Sequence, residues 1–272
     1  MLEILTASRI LVSLGFLLFA SWSDYRTREV SNRVWAIYGP IALIVSLAEF
    51  SLYGPSKLPL FGLSVGITTA IAILLFYSGG FGGADSKALM CIALALPFFP
   101  DRLLTPIFAE GISPLAQYIF PFTIFSNSIL VAAISVIAML LINAKWRVSS
   151  GKKIFEGTLA NESLGKKILV LMTGYKVPLK KLQDKWHIYP MEDVTEENKE
   201  ETSVIRKLVI MPRDEGREEI VERLSQAAAS GKIDSNVLAS PGLPMLIFVT
   251  IGLIISLFFG DLVWLLIRLL AS

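Results

Sequence analysis

Apolar residues in this chain gather in long unbroken runs, several of them close to the ~20 residues that a helix needs to cross a bilayer. The runs cover roughly residues 10–22, 34–52, 58–77, 86–99, 122–143 and 245–270. A helix that is apolar on most sides belongs in lipid, so the pattern predicts six transmembrane helices. The first run has the position of a secretory signal. Glu3 stands where a basic cluster belongs, however, and Ser21-Trp22-Ser23 is a poor small-residue cleavage site, so a retained helix is expected. The fourth run is short. It either begins inside the preceding glycine loop or lies against a thinned bilayer, and Pro97 and Pro100 help end it.

Residues 144–241 have a different texture. They hold 17 of the 25 Lys and Arg residues and 15 of the 23 Asp and Glu residues, as a water-exposed domain would. Within them, residues 166–176 predict a strand and turn, and residues 204–210 a second strand. Residues 217–229 predict an amphipathic helix, and residues 192–201 an acidic solvated loop. The expected fold class is therefore a polytopic α-helical membrane protein with six transmembrane helices and a small α+β cytoplasmic domain between helices five and six. Its expected divisions are a membrane domain over 1–143, the soluble domain over 144–241 and the sixth helix in 242–272.

Basic residues set the expected orientation. Arg26, Arg28 and Arg33 follow the first span, and the large basic segment follows the fifth, on the same side if there are six spans. That side is expected to be cytoplasmic, with both termini outside, in a multi-pass protein of the plasma membrane.

Composition narrows the chemistry. The chain has 272 residues, 54% of them hydrophobic, and a formal net charge of +2, which makes no electrostatic case for nucleic acid as a partner. Cys91 is the single cysteine and His187 the single histidine. No internal disulfide and no histidine-rich metal site can be assembled, and a Ser-His-Asp triad would depend on His187 alone. Neither metal nor cofactor is expected. Carboxylates remain.

Two segments break the alternation of apolar helix and plain loop. One holds Asp24, Arg28 and Asn32 at the end of the first span. The other holds Gly79, Gly80, Gly82, Gly83, Asp85 and Lys87 at the start of the fourth. Span counting puts Asp24 and Asp85 at the same membrane face. Two carboxyls about 3 Å apart cannot both ionise cheaply, so such a pair shares one proton and can hydrolyse a peptide bond without metal or histidine. Asp85, at a helix N-terminus, is expected to favour its anion, and Asp24, near a helix C-terminus, to disfavour it. The glycines would let backbone approach a substrate strand.

Each of these residues also has a plain structural reading. Asp24 can be an interfacial residue, Asp85 an N-cap, Lys87 a snorkelling side chain, Asn32 a cap for the second span, and the arginines topology signals. The combination argues for more. Gly82-Gly83-Ala84-Asp85 resembles the Gly-x-Gly-Asp signature of intramembrane aspartyl peptidases, with Ala84 in place of the second glycine. The stretch Asp24-x-x-x-Arg28-x-Val30-x-Asn32 is similar to their other aspartate region. The span arrangement resembles that of archaeal preflagellin peptidases, relatives of type IV prepilin peptidases.

The resemblance implies a membrane aspartyl endopeptidase with Asp24 and Asp85 as its catalytic pair and Gly82 as the motif glycine. Gly83, Lys87, Arg28 and Asn32 would bind substrate or shape the site. Its protein substrates would be flagellin-like or pilin-like precursors, cut at the cytoplasmic face to remove a short basic leader. Bacterial prepilin peptidases carry a Cys-x-x-Cys zinc pair that one cysteine cannot supply. Two rival classes remain: an ion- or proton-coupled transporter using Asp24 and Asp85, and a membrane scaffold that recruits partners.

Overall fold

The computed structural model describes residues 1–79, 81–108, 112–195, 204–210, 216–242 and 244–271. In chain order its helices are α1 (Leu2–Thr27), α2 (Asn32–Tyr53), α3 (Leu58–Tyr77), α4 (Gly83–Ala95), α5 (Pro114–Tyr118), α6 (Phe120–Ser150), α7 (Leu164–Thr173), α8 (Leu179–Asp184), α9 (Arg217–Ala229), α10 (Met245–Phe258) and α11 (Leu262–Ala271). Its strands are β1 (Tyr175–Pro178), β2 (Tyr189–Pro190), β3 (Glu192–Thr195), β4 (Ile205–Leu208) and β5 (Asn236–Ser240). The chain divides into two compact units, one of residues 1–132 and 244–272, the other of residues 133–243.

In the first unit, four helical segments are long and apolar enough to cross a membrane: Leu2–Thr27, Asn32–Tyr53, Pro55–Tyr77 and Phe120–Ser150. A bent pair, α10 and α11, would make a fifth. The protein is thus a multi-pass membrane protein with four or five candidate spans among the described residues, fewer than the six expected. The expected fourth span is the 13-residue α4, which at 1.5 Å per residue reaches only about 20 Å of a roughly 30 Å core. The expected sixth breaks by 62°. Gly260 there has φ 85°, and the Asp261 carboxylate accepts the Trp264 N–H at 3.0 Å, which starts a new helix.

The short α4 leaves carbonyls exposed at its C-terminal end, where lipid offers no donors. Side chains from three neighbouring helices supply them. Arg9 on α1 donates to the Ala95 carbonyl at 3.0 Å, Ser46 on α2 to Leu94 at 2.7 Å, and Ser64 on α3 to Pro97 at 3.1 Å. Buried Arg9 is itself paired with buried Glu49 through bonds of 2.9 and 2.7 Å. Around this frame pack Leu17, Tyr38, Ile92, Phe120, Ile124 and Leu253. α10 approaches α6 so closely that a β-carbon on Gly252 would lie 2.7 Å from the Ile124 carbonyl oxygen.

The second unit holds a three-stranded antiparallel sheet, ordered β1-β5-β2, and a β3–β4 hairpin. Tyr175 pairs with Ala239, and Glu192 with Leu208. Val177, Leu182, Ile188, Leu224 and Val237 form its core. The helix expected over 217–229 is α9, and the strand expected over 204–210 contains β4. Two expectations fail. Of the expected strand and turn over 166–176, residues 166–173 are helical, in α7, which Ser163 caps by accepting the Lys166 N–H, and only Tyr175 and Lys176 enter a strand, β1. The acidic stretch is not all solvated loop: Glu192 to Thr195 form β3, and the fully buried Glu192 is bonded by Arg206 at 2.6 Å and the Leu238 N–H at 3.0 Å. The remainder of that stretch, 196–201, lies outside the described residues.

Candidate active site

Asp24 sits in the last turn of α1. That helix closes on Arg28, whose N–H bonds the Asp24 carbonyl at 3.0 Å. Arg28 has φ 58°, and it is the non-glycine residue among those described with a left-handed backbone. Such a conformation costs a side-chain-bearing residue about 1–3 kcal/mol. Its guanidinium lies within electrostatic range of the Asp24 carboxylate.

Asp85 is the third residue of α4. The N-cap is Gly82 rather than Asp85 itself, and Asp85 reaches back so that Oδ2 accepts the Gly82 N–H at 3.1 Å. A β-carbon on Gly82 would stand 3.0 Å from that oxygen. The motif glycine therefore has a steric reason before any substrate is considered: the carboxylate occupies the space of its missing side chain. Gly83 has no comparable need, since its β-carbon would meet Phe76 at an ordinary 3.6 Å. Upstream, Gly79 takes φ 76°, and Phe81 stacks edge-on against Phe125 with centroids 5.4 Å apart. Gly80 lies outside the described residues.

The two carboxylates, 61 positions apart in the chain, interact electrostatically across the α1–α4 gap. Both side chains are half-buried. Asp24 has another neighbour that the sequence did not suggest: the backbone amide of Leu246, in the first turn of α10. The expectation that Asp24 feels an unfavourable helix end considered α1 alone. α10 brings a helix N-terminus, with its unpaired N–H groups and positive dipole end, to the same carboxylate. Each aspartate thus faces a helix N-terminus.

Lys87 and Asn32 also come together. Lys87 Nζ donates to Asn32 Oδ1 at 2.6 Å, tying α4 to the start of α2. The cap of α2 is Ser31, whose hydroxyl accepts the Arg33 N–H, so Asn32 is not the cap that its position suggested. The structure gathers Asp24, Arg28, Asp85, Gly82 and Leu246 around one pair of acids. Lys87 and Asn32 brace the first turns of α4 and α2. Water activated by one carboxylate and a carbonyl polarised by the other is chemistry that such a pair can perform.

Residues 11–137, which include both aspartates, match the family model described as Type IV leader peptidase family. Residues 166–262 match the model described as Archaeal Peptidase A24 C-terminus Type II. No curated protein matches the chain. The two matched segments follow one another along the chain and together cover most of the membrane helices and most of the second unit. Two models of one peptidase family, matched in succession along the chain, show that this membrane protein belongs to the type IV leader peptidase family, the prepilin and preflagellin peptidases.

Proposed function

We propose that the chain is an aspartyl endopeptidase that removes the short leader of flagellin-like or pilin-like precursors, with Asp24 and Asp85 as its catalytic pair. The observation that carries this reading is that α1 and α4 pack together with these two half-buried carboxylates within electrostatic range of each other. In the proposed cycle one carboxylate takes a proton from water as its oxygen attacks the scissile carbonyl carbon. The other, protonated, hydrogen-bonds the carbonyl oxygen and transfers its proton there. Collapse of the tetrahedral intermediate breaks the C–N bond: the proton first taken from water passes to the leaving amine, and one hydroxyl proton of the intermediate returns to the second carboxylate, which restores the starting pair. Gly82 leaves room for the Asp85 carboxylate. Arg28 and the Lys87–Asn32 bridge hold the surrounding turns, and Gly83 keeps the backbone open beside them.

In this reading α4 and the bent α10–α11 pair complete a six-segment membrane arrangement. Residues 144–241 form the domain before the last segment. The basic residues after α1, and those that follow α6, support a cytoplasmic catalytic face, a cytoplasmic domain and both termini outside. A transporter would need an intramembrane acid free to load its ion. Glu49 is instead committed to Arg9, and Asp261 accepts from Ser113 at 2.7 Å and from Trp264.

The test is co-expression of the chain with a candidate precursor, followed by N-terminal sequencing of the product. Asp24→Asn and Asp85→Asn should each abolish leader removal while the protein remains in the membrane. Cleavage that persists in either variant refutes the assignment.

A further inference from the structure

Two hydroxyls one helical turn from the Asp24 carboxylate exchange partners across the α1–α10 interface. In a helix, a serine or threonine hydroxyl commonly bonds the carbonyl four residues earlier. For Ser21 that carbonyl belongs to Leu17, and for Thr250 it belongs to Leu246. Here each of these carbonyls is reached from the other helix: Ser21 Oγ donates to Leu246 O at 2.8 Å, and Thr250 Oγ1 reaches Leu17 O at 3.2 Å. Thr250 keeps its own-helix contact with Leu246 O at 2.9 Å, and the two hydroxyls lie 2.7 Å apart. Ser21, Leu246 and Thr250 are all buried.

The Leu246 carbonyl thus lies within bonding distance of both hydroxyls, which share two protons among these contacts, while its amide neighbours the Asp24 carboxylate. One peptide residue links the clasp to the acid. Ser21 also precedes Asp24 by three positions, so the two side chains lie on neighbouring parts of the same α1 face. We propose that Ser21 and Thr250 are positioning residues for peptide hydrolysis: their hydroxyl clasp pins the first turn of α10 to α1 and thereby aims the Leu246 amide at Asp24. A clasp that served only helix association would be a weak device, since interhelical hydrogen bonds in membranes contribute little each. What distinguishes this one is the residue it holds.

The inference rests on the assignment of Asp24 as catalytic, and the experiment separates the two. Wild type, Ser21→Ala, Thr250→Val, Thr250→Ser and Asp24→Asn are purified in lipid nanodiscs and assayed on one precursor over a range of concentrations, with melting measured in parallel. Thr250→Val keeps the side-chain shape and removes the hydroxyl; Thr250→Ser keeps the hydroxyl. The expected result is a kcat lower by about ten- to a hundredfold in Ser21→Ala and Thr250→Val, because small misplacements at a reacting centre are costly. KM and melting should be little changed, and Thr250→Ser should restore most of kcat. Wild-type kcat in Thr250→Val, failure of Thr250→Ser to restore it, or a loss that follows melting would each overturn the clasp. Turnover retained by Asp24→Asn would instead overturn the catalytic assignment beneath it.

Discussion

The buried Arg9–Glu49 pair offers a quantitative test of how the short α4 is held. Arg9 makes three hydrogen bonds, two to Glu49 and one to the Ala95 carbonyl, and both side chains are almost wholly buried. Replacing Arg9 by Met keeps the length of the side chain but leaves Glu49 charged and unpaired, a situation that costs about 3–5 kcal/mol. It also strips the strongest donor from the end of α4, for a further ~1–3 kcal/mol where Ser46, 3.4 Å from the same oxygen, does not compensate. Replacing both partners, as Arg9→Met with Glu49→Leu, removes the orphan charge. The double variant should therefore be more stable than Arg9→Met alone, by about 2 kcal/mol or more.

Unfolding of lipid-embedded protein by SDS titration or steric trapping measures both differences. Precursor processing by the same samples reports whether slack at the C-terminal end of α4 reaches Asp85 at its other end. The reasoning is refuted if Arg9→Met stays within about 1 kcal/mol of wild type, or if the double variant is no better than the single.

Three further outcomes are expected. Gly82→Val should displace the Asp85 carboxylate, because a side chain there starts 3.0 Å from Oδ2, and should lower kcat about tenfold or more with the protein still folded; kinetics beside a melting curve check it. Gly252→Leu should destabilise the membrane unit by about 1–3 kcal/mol or prevent its assembly, since α6 backbone and Ser128 occupy the space; the same unfolding assay serves. In the second unit, burial holds Lys176 below the ordinary lysine range, with Glu192 opposing that shift. Between the lowered folded value and the ordinary unfolded one, the unfolded chain binds more protons, so this group makes stability rise with pH across that window. Lys176→Met should flatten the rise, which urea titrations from neutral to alkaline pH would reveal.

How much of this was legible beforehand depended on whether the signal was local. The α3 helix begins at Leu58 and ends at Tyr77, as the pattern predicted, because Pro59 and the Ser78-Gly79 pair punctuate an uninterrupted apolar run. The α9 helix declared itself by the spacing of Val221 and Leu224, which its core uses. Other local signals were present and outweighed. Ser163 before and Gly174 after residues 164–173 are helix punctuation, yet the density of Ile, Leu and Val favoured a strand. Gly260-Asp261 marks the break between α10 and α11, but total hydropathy concealed it.

What could not be read is what depends on distant partners. Glu192 is buried in a charge-rich segment because Arg206 faces it across the hairpin. The Asp24 site needs a turn of α10 that follows α1 by 225 positions, counted from Ser21 to Leu246. No periodicity within either helix specifies the register that brings those two together. The coincidence of Asp24 and Asp85 at one face was accessible only by counting spans, and the uneven lengths of α4 and α10 show how little margin that count had.

The central claim is that Asp24 and Asp85 share one site, and the lone cysteine makes a direct measurement simple. In a Cys91→Ala background, Asp24→Cys with Asp85→Cys is treated in membranes with the shortest bifunctional methanethiosulfonate. An intramolecular bridge should form in high yield, while the control pair Asp24→Cys with Asp101→Cys, the latter beyond the end of α4 opposite Asp85, should give none. Failure of the Asp24–Asp85 pair to bridge, when both thiols react with a monofunctional reagent, would contradict the account.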